Sequence, residues 1–289
     1  MTDSEAVRVA SLVFLESFRI AAGEPRGRVR IEATVAEAWG IVHAHGGVVM
    51  AAMLQAAEMA LGRTDFRMAS ASAMFCRPVP CGPVEVEVDI LRTGRGGAQA
   101  LATLRCAGDD DPAPNAVATV VFAAATGGWP AHHGLRRHAG LTALPDARAP
   151  RFGVDSGGRA LMPFFEETDW RAAAGQPADP HRRLAWFAFR EPPLREDGSW
   201  VPAMLAVPGD ALGLAAVPPV SAVMGPLLSP SLQISIEFAA PARGEWIGID
   251  SRCHHCEGAI ASGVATLWSA DGALVATVGQ SALLRKARA

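Results

Sequence analysis

The sequence predicts an α+β fold in which one supersecondary unit is used twice, each copy a buried helix wrapped by an antiparallel sheet. Two observations carry this. The order strand, apolar helix, then a run of strands occurs in the first half of the 289 residues and returns in the second. In addition, "MFCRPVPCGPVEVEVDILR" (74–92) parallels "EFAAPARGEWIGIDSR" (237–252): each runs Phe, Pro, Gly, then an alternating strand ending in Arg.

In chain order, "GRVRIEAT" (27–34) is a short strand. "HAHGGVVMAAMLQAAEMALG" (43–62) is helical by its Ala, Met and Leu content, with Gly62 as its C-cap. Its apolar residues run nearly all round, which predicts a buried helix. Strands follow at "RMASASAMFCRPV", at "GPVEVEVDILRTG", and at "AQALATLRCAG" and "NAVATVVFAAA" on either side of the turn "DDDPAP". Val84, Val86 and Val88 alternate with Glu85, Glu87 and Asp89, so that strand is wet on one face. Residues 125–180 have no sustained period and read as a crossing segment laid over the surface, with one strand candidate at "PFFEETDW". "HRRLAWFAFRE" (181–191) is a strand, and "DGSWVPAMLAVPGDALGLAA" (197–216) a helix interrupted near Pro208. "SLQISIEFAAPARGEWIGIDSR", "GAIASGVATLWSADG" and "ALVATVGQSALLR" supply the remaining strands. The expected division is a first unit over 1–126, a crossing linker over 127–180 and a second unit over 181–289.

Composition narrows the partners. The chain is 50% hydrophobic and 19% charged with a net charge of −3. No Lys/Arg block forms a phosphate-tracking surface, so no nucleic-acid partner is expected. The apolar stretch "GGVVMAAMLQAAEMALG" contains Gln55 and Glu58 and is short for a membrane span, so none is expected. The N-terminus lacks the basic start and apolar core of a signal peptide. Five cysteines do not make a disulfide framework and predict a reducing, cytoplasmic setting.

"SRCHHCEG" (251–258) invites a metal reading. Neighbours on an extended chain point to opposite faces, so four contiguous ligands do not converge on one ion. A Cys-x-x-Cys knuckle needs a second ligand pair, and Cys76, Cys81, Cys106 and His132–His133 do not offer one. The stretch is expected to be a turn, and neither metal nor cofactor is called for.

Several residues stand out chemically. Gly46 and Gly47 open the first helix, where bare N–H groups lie at the positive end of the dipole. Read alone, the pair is a tight turn into the helix rather than a donor site. Asp210 is an acid in an apolar helix, which is costly unless paired or functional; alternatively it caps a helix that restarts after Pro208. His45 either orients the glycine loop or is structural, and His43 is incidental.

The order of these stretches resembles the type-two acyl-CoA thioesterases, double-hotdog proteins, over roughly residues 28–285. "HGGVVMAAMLQAA" is similar to that family's glycine-pair entry into the first central helix, and "FCRPV" followed by "EVDILRTGRG" to its first strand pair. "LAVPGDALGLAAVP" resembles its second helix, and "EFAAPARGEWIGIDSR" and "DGALVATVGQSALLR" its last strands. The resemblance implies an acyl-CoA substrate and Asp210 as general base or water activator. It implies Ser231 (usually Thr in the family) and Gln280 as water-positioning groups, and Gly46/Gly47 with His45 as the oxyanion and substrate-binding group, Gly47 being the expected donor. In the family the aspartate lies in a continuous helix; here Pro208 and Gly209 precede it.

The two units should be related by a pseudo-twofold axis. Leu54 falls where Asp210 would be in the first unit, and Val201, Pro202 and Ala203 replace the glycine pair in the second, so one composite site is expected. Met50, Met53, Met59 and Trp200 are candidates for the pocket floor. Two rivals stand beside hydrolysis: an acyl-thioester-binding double hotdog with weak turnover, and a hydratase. Edge strands of such folds often pair with another copy, leaving a homo-oligomer open.

Overall fold

The computed structural model describes residues 15–20, 28–124 and 134–287; His132 and His133 lie outside the described residues. In the first half, β1 (Leu15–Ile20) and β2 (Arg28–Val35) precede α1 (Gly46–Leu61). Then come β3 (Phe66–Phe75), β4 (Gly82–Thr93), β5 (Gly97–Cys106) and β6 (Ala116–Ala124). The crossing segment carries α2 (Phe164–Glu167) and β7 (Thr168–Ala172). The second half runs β8 (Arg182–Phe189), a 3-10 turn at Pro202–Leu205, α3 (Ala206–Gly209), α4 (Leu212–Met224) and β9 (Leu227–Leu228). It ends with β10 (Ser231–Phe238), β11 (Ile247–Glu257), β12 (Ile260–Ser269), β13 (Leu274–Leu283) and β14 (Arg285–Lys286).

Among the described residues, twelve strands form one sheet in the order β1-β2-β4-β5-β6-β3-β10-β13-β12-β11-β8-β7. The order reads as its own mirror about the β3–β10 pair, where Ser72 faces Ser235. Thus β2, β4, β5, β6 and β3 correspond to β8, β11, β12, β13 and β10, the duplication expected from the sequence. Gln233 Nε2 donates to Ser72 Oγ at 3.1 Å across this central pair. A separate two-residue ribbon pairs β9 with β14.

The periodicity reading accounts for most elements. In β4 the buried Val84, Val86 and Val88 alternate with Glu85, Glu87 and Asp89, whose carboxylates meet Arg28 and Arg30 of β2. Helix α1 is buried from Gly47 through Ala57, and Gly62 ends it in the left-handed region, its N–H reaching Glu58 O. Glu58, the acid of this apolar helix, is ion-paired with Arg195 of the second unit.

Other expectations are corrected. The helix begins at Gly46, leaving His43–His45 as a loop. Strand β1, not foreseen, extends the sheet beyond β2. The stretch "PFFEETDW" is a strand only from Thr168; Phe164–Glu167 is a helical turn. Part of the crossing segment is interior, because Leu141, Phe164 and Trp170 are buried. Cys253–Cys256 are not a turn: they lie in β11, which bulges between Cys253 and His255 and turns only after Glu257. The bulge leaves Cys253 buried and His254 and His255 exposed. Among the described residues no group of three or more His, Cys, Asp or Glu side chains gathers as a cation site.

The second central helix is broken. Pro202–Met224 spans 23 residues and contains an 18-residue window of mean hydropathy 1.4, enough by length and composition to cross a membrane, yet 61% of that window is buried inside the fold. The break is not at Pro208, which sits within α3. It comes at Asp210 (φ −78°, ψ 57°) and Ala211, so that Asp210 terminates α3 and α4 starts afresh at Leu212. Proline is tolerated in a helix's first turns, where its missing N–H would find no partner in any case.

Helices α1 and α3 meet backbone to backbone at Gly47. A Cβ there would lie 2.4 Å from Ala206 O and 2.7 Å from Val207 Cα. Gly→Ala in a helix ordinarily stabilises, but here the helices would have to separate. Gly47→Ala is therefore expected to lower stability by about 1–3 kcal/mol, read as a lower urea midpoint at unchanged m-value.

Candidate active site

The α1–α3 contact brings a carboxylate of the second unit to the first turn of α1. Asp210 is the C-cap residue of α3, its backbone N–H reaching Ala206 O at 3.0 Å and Val207 O at 3.2 Å, while its side chain caps neither α3 nor α4. Asp210 Oδ2 accepts from Gly47 N–H at 2.9 Å. Oδ1 accepts from Ser231 Oγ at 2.7 Å and from Gln280 Nε2. Gln280 Nε2 also donates to Ser231 Oγ at 2.9 Å, so both its amide hydrogens are engaged. Gln280 Oε1 accepts from Leu212 N–H at 2.9 Å, an otherwise orphaned donor at the start of α4. Ser251 Oγ donates to Ala211 O at 3.0 Å on the other side of the break. A carboxylate offers about four acceptor positions. Three are filled, leaving one on Oδ2.

That position adjoins Gly46. A Cβ on Gly46 would lie 2.7 Å from Asp210 Oδ2 and 3.4 Å from Ser231 Oγ, so only glycine admits the carboxylate this close. Gly46 lines a cavity of about 590 Å³ with Asp210, Ser231 and His45. The two glycines therefore differ. Gly47, the expected oxyanion donor, is buried and its N–H is engaged with Asp210. The Gly46 N–H has no hydrogen-bond partner among the described residues, and Gly46 lines the cavity.

His45 stacks on Phe164, ring centroids 4.3 Å apart and planes 8° from parallel. Its Nε2 lies 3.6 Å from Asp210 Oδ2, and its buried Nδ1 has no partner among the described residues. Burial pushes the imidazole below its usual pKa, partly opposed by the Asp210 charge. It is thus neutral at pH 7.

The structure brings together every residue singled out for the site, with altered duties for two. Gln280 anchors the carboxylate and has no hydrogen left for a water. Gly47 N–H is likewise engaged with the carboxylate, and the Gly46 N–H is the one left without a partner among the described residues. The pocket floor also differs. Met50, Met53 and Trp200 are core residues, Met59 packs against the core, and none lines the cavity. The apolar wall comes from the crossing segment through Phe152, Met162, Phe164, Phe165 and Trp170. The one signal for it was the aromatic pair in "PFFEETDW". His43 lines the mouth and is exposed.

Residues 35–123 match the family model of the acyl-CoA thioesterase N-terminal domain, and residues 138–284 that of the C-terminal domain. The chain belongs to the acyl-CoA thioesterase family. It is a thioester hydrolase with acyl-CoA as its substrate class. The fold is shared with an acyl-CoA thioesterase II from Mycobacterium marinum at 22% identity and TM-score 0.69, over 93% of this chain and 96% of that one. A protein of unknown function with a hot dog fold from Alicyclobacillus acidocaldarius aligns at 21% identity and TM-score 0.70, over 93% and 97%. No curated protein sequence matches the chain. The thioesterase is thus a double hotdog, and its paired carboxylate lies where the two hotdogs join.

The buried His45 makes stability pH-dependent. Its folded pKa is below its unfolded one, so the unfolded chain binds the proton first and stability falls as pH drops below about 6.5. His45→Gln is expected to weaken this dependence, measured as a smaller loss of Tm between pH 7.5 and pH 5.5 than the wild type shows.

Proposed function

We propose that the thioesterase hydrolyses its substrate at a single composite site, with a water activated by Asp210. The observation that carries this is the free acceptor position of Asp210 Oδ2 beside Gly46. A water donating to it would face a thioester carbonyl whose oxygen accepts from Gly46 N–H. Ser231 Oγ, which donates to Asp210 and accepts from Gln280, retains an acceptor lone pair for the same water. As the water oxygen attacks the carbonyl carbon, Asp210 takes its proton and the N-terminal dipole of α1 stabilises the developing oxyanion. The tetrahedral adduct then expels CoA as a thiolate and releases the acid; the proton held by Asp210 returns to the thiolate or to solvent. A thiol of ordinary pKa near 8.5 is a competent leaving group, so no cationic acid is needed and a neutral His45 is consistent with the scheme.

One site per chain is favoured because the helix position that the sequence matches to Asp210 falls near Leu54, which is wholly buried and carries no carboxylate. The binding-module rival requires Pro208 to misplace Asp210. Against it stands the 2.9 Å contact with Gly47 N–H, made although the helix is broken. A hydratase needs, beside a base, an acid to protonate the enoyl carbon, and an imidazole that burial favours in its uncharged form is a weak one. The five free cysteines suit a reducing cytoplasm.

Asp210→Asn is expected to cut kcat on acyl-CoA by about 10²–10⁴-fold, the usual contribution of a general base, with a folded far-UV spectrum. Turnover near wild type would overturn the proposal. Tight acyl-CoA binding without turnover in the wild type would favour the binding module.

A further inference from the structure

We infer that Arg285 binds the phosphate groups of the substrate's CoA moiety, which directs the acyl group toward the aromatic wall of the same cavity. The inference rests on the reading of Asp210 as the point where the thioester is cleaved.

The walls of the cavity differ in chemistry. One is the apolar, aromatic surface of the crossing segment behind His45. Another is the β9–β14 ribbon and the turn into β10, with Leu227, Ser229 and Arg285. Arg285 is paired in register with Leu228, so its backbone is tied to the ribbon while its side chain is exposed at the cavity.

Among the described residues two arginines line the cavity, and they are not equivalent. Arg77 is neutralised by Asp109 at 2.9 Å and Asp111 at 3.0 Å. Arg285 has no acidic partner among the described residues. In a chain of net charge −3, an uncompensated guanidinium at a cavity mouth is not a by-product of a basic surface. CoA carries a diphosphate and a ribose phosphate, groups that must stay near water while the thioester reaches Asp210. A guanidinium's planar fork suits phosphate oxygens. The acyl group, having no polar atoms to satisfy, is left to the aromatic wall.

The test compares one acyl group carried on CoA and on pantetheine, which has no phosphate. Arg285→Gln should raise KM for the acyl-CoA by roughly 10-fold or more, the loss expected of a charge-assisted contact, with kcat little changed. It should leave the acyl-pantetheine constants unaltered and flatten the salt dependence of kcat/KM on acyl-CoA. Lys286→Gln, changing the adjacent cation on the opposite side of the strand, should do neither. Equal effects on both substrates, no effect on either, or the same effect from Lys286→Gln would overturn the assignment. Calorimetric binding of free CoA to wild type and Arg285→Gln tests it without turnover. If the wild type hydrolyses neither substrate, the hydrolytic reading fails, while weaker CoA binding by the variant would still uphold Arg285.

Discussion

The contact between the Asp210 carboxylate and the first turn of α1 depends on two glycines, and the rest of the site depends on that contact. A buried carboxylate is costly unless its charge is met by donors. Here the donors come from both units: Gly47 N–H from the first, Ser231 and Gln280 from the second. The positive end of α1 adds to them. Without the close approach at Gly47, where α1 touches α3, the carboxylate would have no partner across the seam.

The break in the second helix follows from the same requirement. A continuous helix keeps its side chains on fixed faces, 100° apart per residue. The turn at Asp210 and Ala211 releases one side chain from that constraint but strands backbone groups on both sides. Gln280 and Ser251 satisfy two of them, Leu212 N–H and Ala211 O. Gln280 thereby links the restart of the helix to the orientation of the carboxylate. The first unit, with an unbroken α1 and Leu54 in the corresponding place, has none of this apparatus. At this contact the two units are unequal, the first supplying the helix terminus and the second the carboxylate.

His45 and Phe164 show how the crossing segment takes part. Phe164 covers the imidazole face and, with Trp170, encloses the cavity on that side. Burial favours the uncharged form of the histidine beside the carboxylate, against the opposing pull of the Asp210 charge. That leaves the Asp210 charge to be balanced by neutral donors, an arrangement suited to activating a neutral water.

Ser231 and Gln280 were legible only through the family resemblance; the sequence by itself determined the duplicated architecture, most of the strands, and the glycines and acid of the candidate site. These are local or periodic properties: alternation along β4, the apolar circumference of α1, the glycines at its start, and an acid among apolar neighbours. The tertiary structure decided what each member does. Whether Gly46 or Gly47 offers a free N–H depends on which one the carboxylate reaches, and that carboxylate is 163 positions away. Gln280 became an anchor because Leu212 N–H, 68 positions distant, fixes its amide. Phe164 entered the site and the methionines left it because burial is set by packing between units, which no period within a segment records. Local pattern specifies which groups are available; only the meeting of distant segments specifies which hydrogen-bond positions remain open for a substrate.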